Sequence, residues 1–242
     1  MRTETLTYQA DGLNMVNHLY WDETLPGRRP GVLVFPEAFG LEDHAKSRAE
    51  RLANMGYIAL ACDLHGDGKV IRDLPAVMPM IAALRADPVH IRARAGGALA
   101  ALVARPQVDP QKIAAIGFCF GGTMSLDLAR SGAEIAAVVG FHCGLATKDP
   151  QDAKNIRCKV LICTGADDPA VPAQQRADFE KEMTDAKVDW RMHVYGGVLH
   201  SFTNPEADRM GRPELARYDA GADARSWAEM LALFDEVLGK PG

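Results

Sequence analysis

Short apolar runs recur along this chain, spaced so that only helices fit between them. Gly31-Val32-Leu33-Val34-Phe35, Tyr57-Ile58-Ala59-Leu60-Ala61-Cys62, Ile113-Ala114-Ala115-Ile116, Ile135-Ala136-Ala137-Val138-Val139 and Val160-Leu161-Ile162-Cys163 are such runs. None alternates apolar with polar residues, so each reads as a strand covered on both faces. Helical stretches are expected at 42–55, 75–104 (broken near Pro88), 120–131 and 173–186. Strands alternating with helices predict an α/β fold, with a mainly parallel sheet and helices on both faces. Trp190 to Tyr195 adds a strand, and a last helix carries Trp227, Met230, Leu231, Phe234 and Leu238 as a core-facing stripe. At the N-terminus, alternation in Glu4 to Tyr8 and around Asn17 to Trp21, joined by Asp11-Gly12, predicts an antiparallel hairpin. No linker or repeat interrupts the 242 residues, and a hydrophobic content of 48% can form one large core. A single domain over 1–242 is the expectation.

One turn in this frame carries a reactive atom. Gly117-Phe118-Cys119-Phe120-Gly121-Gly122 follows the run ending at Ile116 and precedes the helical Thr123-Met124-Ser125-Leu126-Asp127-Leu128-Ala129. A strand, a sharp turn with small residues around one nucleophile, then a helix is the setting of a nucleophile elbow. The glycines let strand and helix pack closely around a strained central residue. Cys119 occupies that centre. The turn lacks G-x-G-x-x-G spacing and follows the fifth or sixth strand, which argues against a dinucleotide site.

A free thiol titrates near 8.5, so at neutral pH it needs a base. In this architecture an acid and then a histidine follow the nucleophile in chain order. The acid candidates lie in Thr164-Gly165-Ala166-Asp167-Asp168-Pro169, just after a strand end. Asp168, with Pro169 behind it, is the stronger, and Asp167 is the alternative. The base candidate is His200, on the loop after the strand Trp190 to Tyr195. His18 and His44 precede the elbow, His193 sits inside a strand, and His65 and His90 fall in early loops or helices. His142, at the end of the strand after the elbow, is read as a pocket-lining residue.

Composition narrows the function classes. A net charge of −5 gives no electrostatic footprint for nucleic acid. No apolar run approaches the length of a membrane span, and the N-terminus lacks a signal-peptide core. Five cysteines, an odd number with no Cys-x-x-Cys pair, suggest reduced thiols, a cytoplasmic location and no structural zinc. Oligomeric state stays open between monomer and homodimer.

Four segments together resemble the dienelactone hydrolase family from about Gly31 to Phe234. They are Phe35-Pro36-Glu37-Ala38-Phe39-Gly40, the turn around Cys119, Gly165-Ala166-Asp167-Asp168-Pro169-Ala170-Val171-Pro172 and His200-Ser201-Phe202. The resemblance implies the α/β-hydrolase fold and hydrolysis of a small ester or lactone through a thioester on Cys119, with no metal or organic cofactor. It gives Glu37 the role of taking the thiol's proton, and it puts the backbone N–H groups of Ala38 and Phe120 in an oxyanion hole. Arg85, His142, Phe39 and Phe202 become candidates for substrate contact. The family's second carboxylate-binding arginine, expected shortly after the histidine, has no counterpart near His200, and Arg209 is a distant substitute. Alternative readings are a hydrolase for a different ester or larger acyl substrate, and a non-catalytic binding protein on the same scaffold.

Overall fold

A computed structural model describes residues 1–240. The N-terminal hairpin forms as expected, with β1 (Arg2–Ala10) antiparallel to β2 (Leu13–Trp21). Its two turn residues, Asp11 and Gly12, both have positive φ, as the tight hairpin turn requires. The remaining strands are β3 (Arg29–Phe35), β4 (Ile58–Ala61), β5 (Val108–Phe118), β6 (Ala137–Phe141), β7 (Lys159–Gly165) and β8 (Trp190–Tyr195). They form one eight-stranded sheet in the order β1-β2-β4-β3-β5-β6-β7-β8. β2 runs antiparallel to β4, and every pair from β4 to β8 is parallel.

The central strands lack alternation because both faces of the sheet are buried. Leu33, Leu60, Ala115, Val138 and Ile162 pack to one side, against α2 (Leu74–Ala86), α3 (Pro88–Val103), α4 (Phe120–Arg130) and α5 (Ala173–Asp185). Val32, Val34, Ala114, Ile116, Val139 and Leu161 pack to the other, against α1 (Asp43–Ala53) and α6 (Ala220–Val237). The expected break near Pro88 is real. The Asp87 side chain accepts from Val89 N at the start of α3, which Pro88 opens. Between α4 and α5, the fully buried Arg130 donates two 2.8 Å bonds to Glu182. Among the described residues no helix is long and apolar enough to cross a membrane.

Parallel strands deliver their carboxyl ends to one edge. The loops after Phe35, Phe118, Phe141, Gly165 and Tyr195 therefore gather there.

Candidate active site

Register decides which residues meet at that edge. Phe35 of β3 pairs with Gly117 of β5, so Glu37 and Cys119 each lie two residues beyond the same rung. Cys119 caps α4 at φ 52° and ψ −119°, a strained conformation for a residue with a side chain. The strain follows from close packing of the glycines around it. A Cβ on Gly117 would lie 2.1 Å from the Gly121 carbonyl carbon, and one on Gly121 would lie 2.3 Å from Phe35 O. The second contact presses the first turn of α4 onto the 35–36 backbone, beside the Glu37–Gly40 turn. Phe120 is the first residue of α4, where an N–H has no partner within the helix. Gly40 N donates to Glu37 O at 3.1 Å. That carbonyl shares a trans peptide with Ala38 N–H, which therefore points away from the inside of the turn.

Asp168 and His200 meet from neighbouring strand ends. A Cβ on Gly165 would lie 2.1 Å from Val198 O, so the loop after β8 rests directly on the end of β7. His200 Nδ1 and Asp168 Oδ2 are 2.8 Å apart. The second oxygen of Asp168 accepts from Ala170 N at 2.8 Å, fixing the carboxylate, while Asp167 is exposed. Burial alone would push the His200 pKa down. The Cys119 sulfur and the Asp168 carboxylate on either side of the ring outweigh it and hold His200 well above the usual imidazole value. Cys119 is the one half-exposed cysteine; the other four are buried, and all five are free.

Glu37 is buried at the same edge. Its Oε2 accepts from Asn204 Nδ2 at 2.9 Å and lies 3.6 Å from His44 Nδ1, while Oε1 has no partner. Arg48 Nε donates to His44 Nε2 at 3.2 Å, which leaves the His44 proton on Nδ1, facing Glu37. The Arg48 guanidinium also donates to Thr203 O and to Asp223 at 2.9 Å. One buried arginine thus braces both groups beside Glu37.

The other expected residues divide. Arg85 is exposed on α2, its guanidinium 5.7 Å over the Phe120 ring. Phe39 is half-buried in the loop after β3. His142 and Phe202 do not reach the surface, which corrects their reading as substrate contacts: both are 0% exposed. His142, at φ 40°, turns beneath His200 with ring centroids 5.2 Å apart and shares a 2.8 Å hydrogen bond with Thr203 Oγ1. The positive φ of Ser201 sends Phe202 into the core against Tyr195 and His142. Arg209 points to solvent and pairs with Glu206. The sequence reading missed His44, Arg48, Thr203, Asn204 and Asp223. Asn204 alone left a trace, as a polar residue four positions after His200. A surface cleft of about 280 Å³ between α2 and α3, lined by Met80, Leu84, Asp87, His90 and Arg94, does not include Cys119. Among the described residues, no three His, Cys, Asp or Glu side chains cluster as metal ligands would.

The dienelactone hydrolase family model matches residues 19–238. The chain belongs to the dienelactone hydrolase family. Its architecture is that of the α/β hydrolases, and it is a hydrolase. Among solved structures it resembles a dienelactone hydrolase-like promiscuous phosphotriesterase from metagenomic libraries. The two are 47% identical with a TM-score of 0.94, over 98% of this chain and 99% of that one. Protein usf of Aquifex pyrophilus is 30% identical over 86% of this chain and 89% of its own length. An Escherichia coli K12 protein provisionally named a carboxymethylenebutenolidase is 26% identical over 96% of this chain and 86% of its own.

Proposed function

We propose that this family member hydrolyses small carboxylic esters or lactones with Cys119 as nucleophile, His200 as base and Asp168 as the group that orients His200. The observation that carries this is the 2.8 Å Asp168–His200 bond on a histidine coupled to a half-exposed thiol at a nucleophile elbow. Cys119 sulfur attacks the carbonyl carbon, and the Ala38 and Phe120 N–H groups hold the oxyanion. The bond to the leaving alkoxide breaks as His200 gives it a proton, and a thioester remains. His200 then takes a proton from water, whose oxygen attacks the thioester and frees the acid and the thiol. Glu37, with one buried oxygen unpartnered, serves as the acceptor that draws the proton from the thiol at the start of a cycle and passes it to His200 for delivery to the alkoxide. In the second half His200 returns the proton taken from water to the sulfur. Every step uses groups of the chain itself. Arg85 at the mouth offers one cationic anchor for an acyl group bearing a carboxylate. Five unpaired thiols suit the reducing cytoplasm.

Turnover of p-nitrophenyl acetate and of a dienelactone by wild type and Cys119→Ala tests the proposal. Loss of both activities in the variant supports it, and unchanged turnover overturns it. The relative at 47% identity named as a phosphotriesterase favours a second substrate class. In that reading the sulfur attacks phosphorus as its proton passes to His200, and the P–O bond to an aryloxide breaks as His200 protonates it. Water deprotonated by His200 then cleaves the S–P bond and restores the thiol. Paraoxon hydrolysis that disappears with Cys119→Ala would support it, and no hydrolysis by wild type would exclude it.

A further inference from the structure

The turn at Glu37–Gly40 has no secondary structure of its own, yet the proposed function asks one of its N–H groups to aim at a reacting oxygen. Its outward carbonyls are both held by one neighbouring segment. Ala38 O receives His65 Nε2 at 2.8 Å, and Phe39 O receives Ile71 N at 2.8 Å. Gly40, at φ 103°, passes so close to this segment that a Cβ would lie 2.4 Å from Lys69 O. The segment is itself anchored. The Asp63 carboxylate accepts from Val16 N, His65 N, Gly66 N and Gly68 N at 2.9 to 3.2 Å, while Asp63 N donates to Asn17 Oδ1 at 2.8 Å.

His65 is the one side chain in this clamp. It is 4% exposed. Because a carbonyl only accepts, Nε2 must carry the proton, and the buried Nδ1 has no partner. Burial lowers the His65 pKa, so the ring stays a neutral donor at neutral pH. The peptide it grips, Ala38–Phe39, follows the peptide that carries Ala38 N–H, which the Gly40 N to Glu37 O bond holds, so the two bonds fix Ala38 from both sides.

We infer that His65 is a positioning residue for catalysis: by holding Ala38 O against the 63–71 segment it fixes the place of Ala38 just beyond the end of β3, and with it the place of the Ala38 N–H proposed for the oxyanion hole. The inference rests on the proposed acyl-transfer reading. Acylation and deacylation each pass through an oxyanion, so kcat is exposed to the loss of this lock whichever step limits it. Alkylation of Cys119 by iodoacetamide builds no oxyanion and reports the thiol, His200 and Glu37, whose carboxylate Asn204 holds independently of His65.

The test compares wild type, His65→Leu and His65→Gln, with p-nitrophenyl acetate as substrate and iodoacetamide as thiol probe. Removing a whole oxyanion-hole donor costs about 10²–10³ in kcat, so loosening one predicts a loss of about 10- to 100-fold in His65→Leu. KM and the alkylation rate should stay within about threefold of wild type, and His65→Gln, which restores a side-chain N–H, should recover most of kcat. Wild-type kcat in His65→Leu would overturn the inference. So would a parallel loss of alkylation, which marks general disruption. Should His65→Leu fail to fold, His65→Asn, whose amide falls short of Ala38 O, makes the same comparison against His65→Gln. Full activity in Cys119→Ala is a different failure, because it removes the acyl-transfer reading and leaves His65 without an oxyanion to serve.

Discussion

Asn204 donates to the carboxylate of Glu37 at 2.9 Å, joining the loop after β8 to the loop after β3. The bond holds one carboxylate oxygen, and the other, buried and unpartnered, is the atom proposed to take the thiol's proton. Glu37→Gln keeps an oxygen for Asn204 and removes the basicity. Its kcat is expected to fall about 100-fold or more, at the low end of what acid–base groups contribute. The melting temperature should stay near wild type. A variant with unchanged kcat would show that Glu37 only fills its niche.

Asp168→Asn preserves size and can still accept from Ala170 N. It places an N–H donor where His200 Nδ1 needs an acceptor, favouring the wrong imidazole tautomer. A kcat loss of about 10³–10⁴-fold is expected, with ester binding little altered. Asp167→Ala, at an exposed position, should behave as wild type. Steady-state kinetics on the pair would expose any error in assigning the acid.

His142 makes acid stability informative. Burial first, then the charges that His200 and His44 can carry, hold its pKa well below 6.5. The unfolded chain binds a proton there near pH 6.5 that the folded chain refuses. The stability this group contributes is therefore complete above that pH and is lost as the pH falls through it. Urea unfolding between pH 7.5 and 5 should show the decline, at up to about 1.4 kcal/mol per pH unit for one proton. His65 is shifted in the same direction and adds to it. His142→Phe should make the slope shallower by about one proton, and an unchanged slope would mean that His142 protonates within the fold. His200 has the opposite sign. Its pKa is raised, so its contribution is present below 6.5 and fades as pH climbs past the raised value.

The Arg130–Glu182 pair tests stability away from the site. Burial raises the Glu182 carboxyl pKa despite the guanidinium beside it, a sign of how dry the location is. Glu182→Leu should cost about 3–5 kcal/mol by leaving the arginine unpaired, whereas Arg130→Met with Glu182→Leu should recover most of that loss. Denaturation midpoints of the two variants decide it.

Strand positions, the hairpin and the break at Pro88 were legible in the sequence because period and turn chemistry are local properties. The Asp168–His200 pairing and the strained turn at Cys119 were legible as well, since the places of these residues at strand ends follow from the topology. The supports were not. Arg48 reaches Thr203 and Asp223 across 155 and 175 positions, and no short pattern records contacts at that range. His142 and Phe202 misled for another reason. Positive φ at His142 and Ser201 turns the chain inward where a motif invites an outward reading.

The shared rung of Phe35 and Gly117 has a consequence for how such a protein can diversify. The proposed nucleophile, proton acceptor and oxyanion donors hang from two adjoining strands whose alignment is locked by the middle of the sheet. The stretch between β4 and β5, which carries Arg85, can lengthen, shorten or change its chemistry without moving the alignment of those strands. Selection for a new substrate can thus act on that stretch while the reacting atoms keep their spacing.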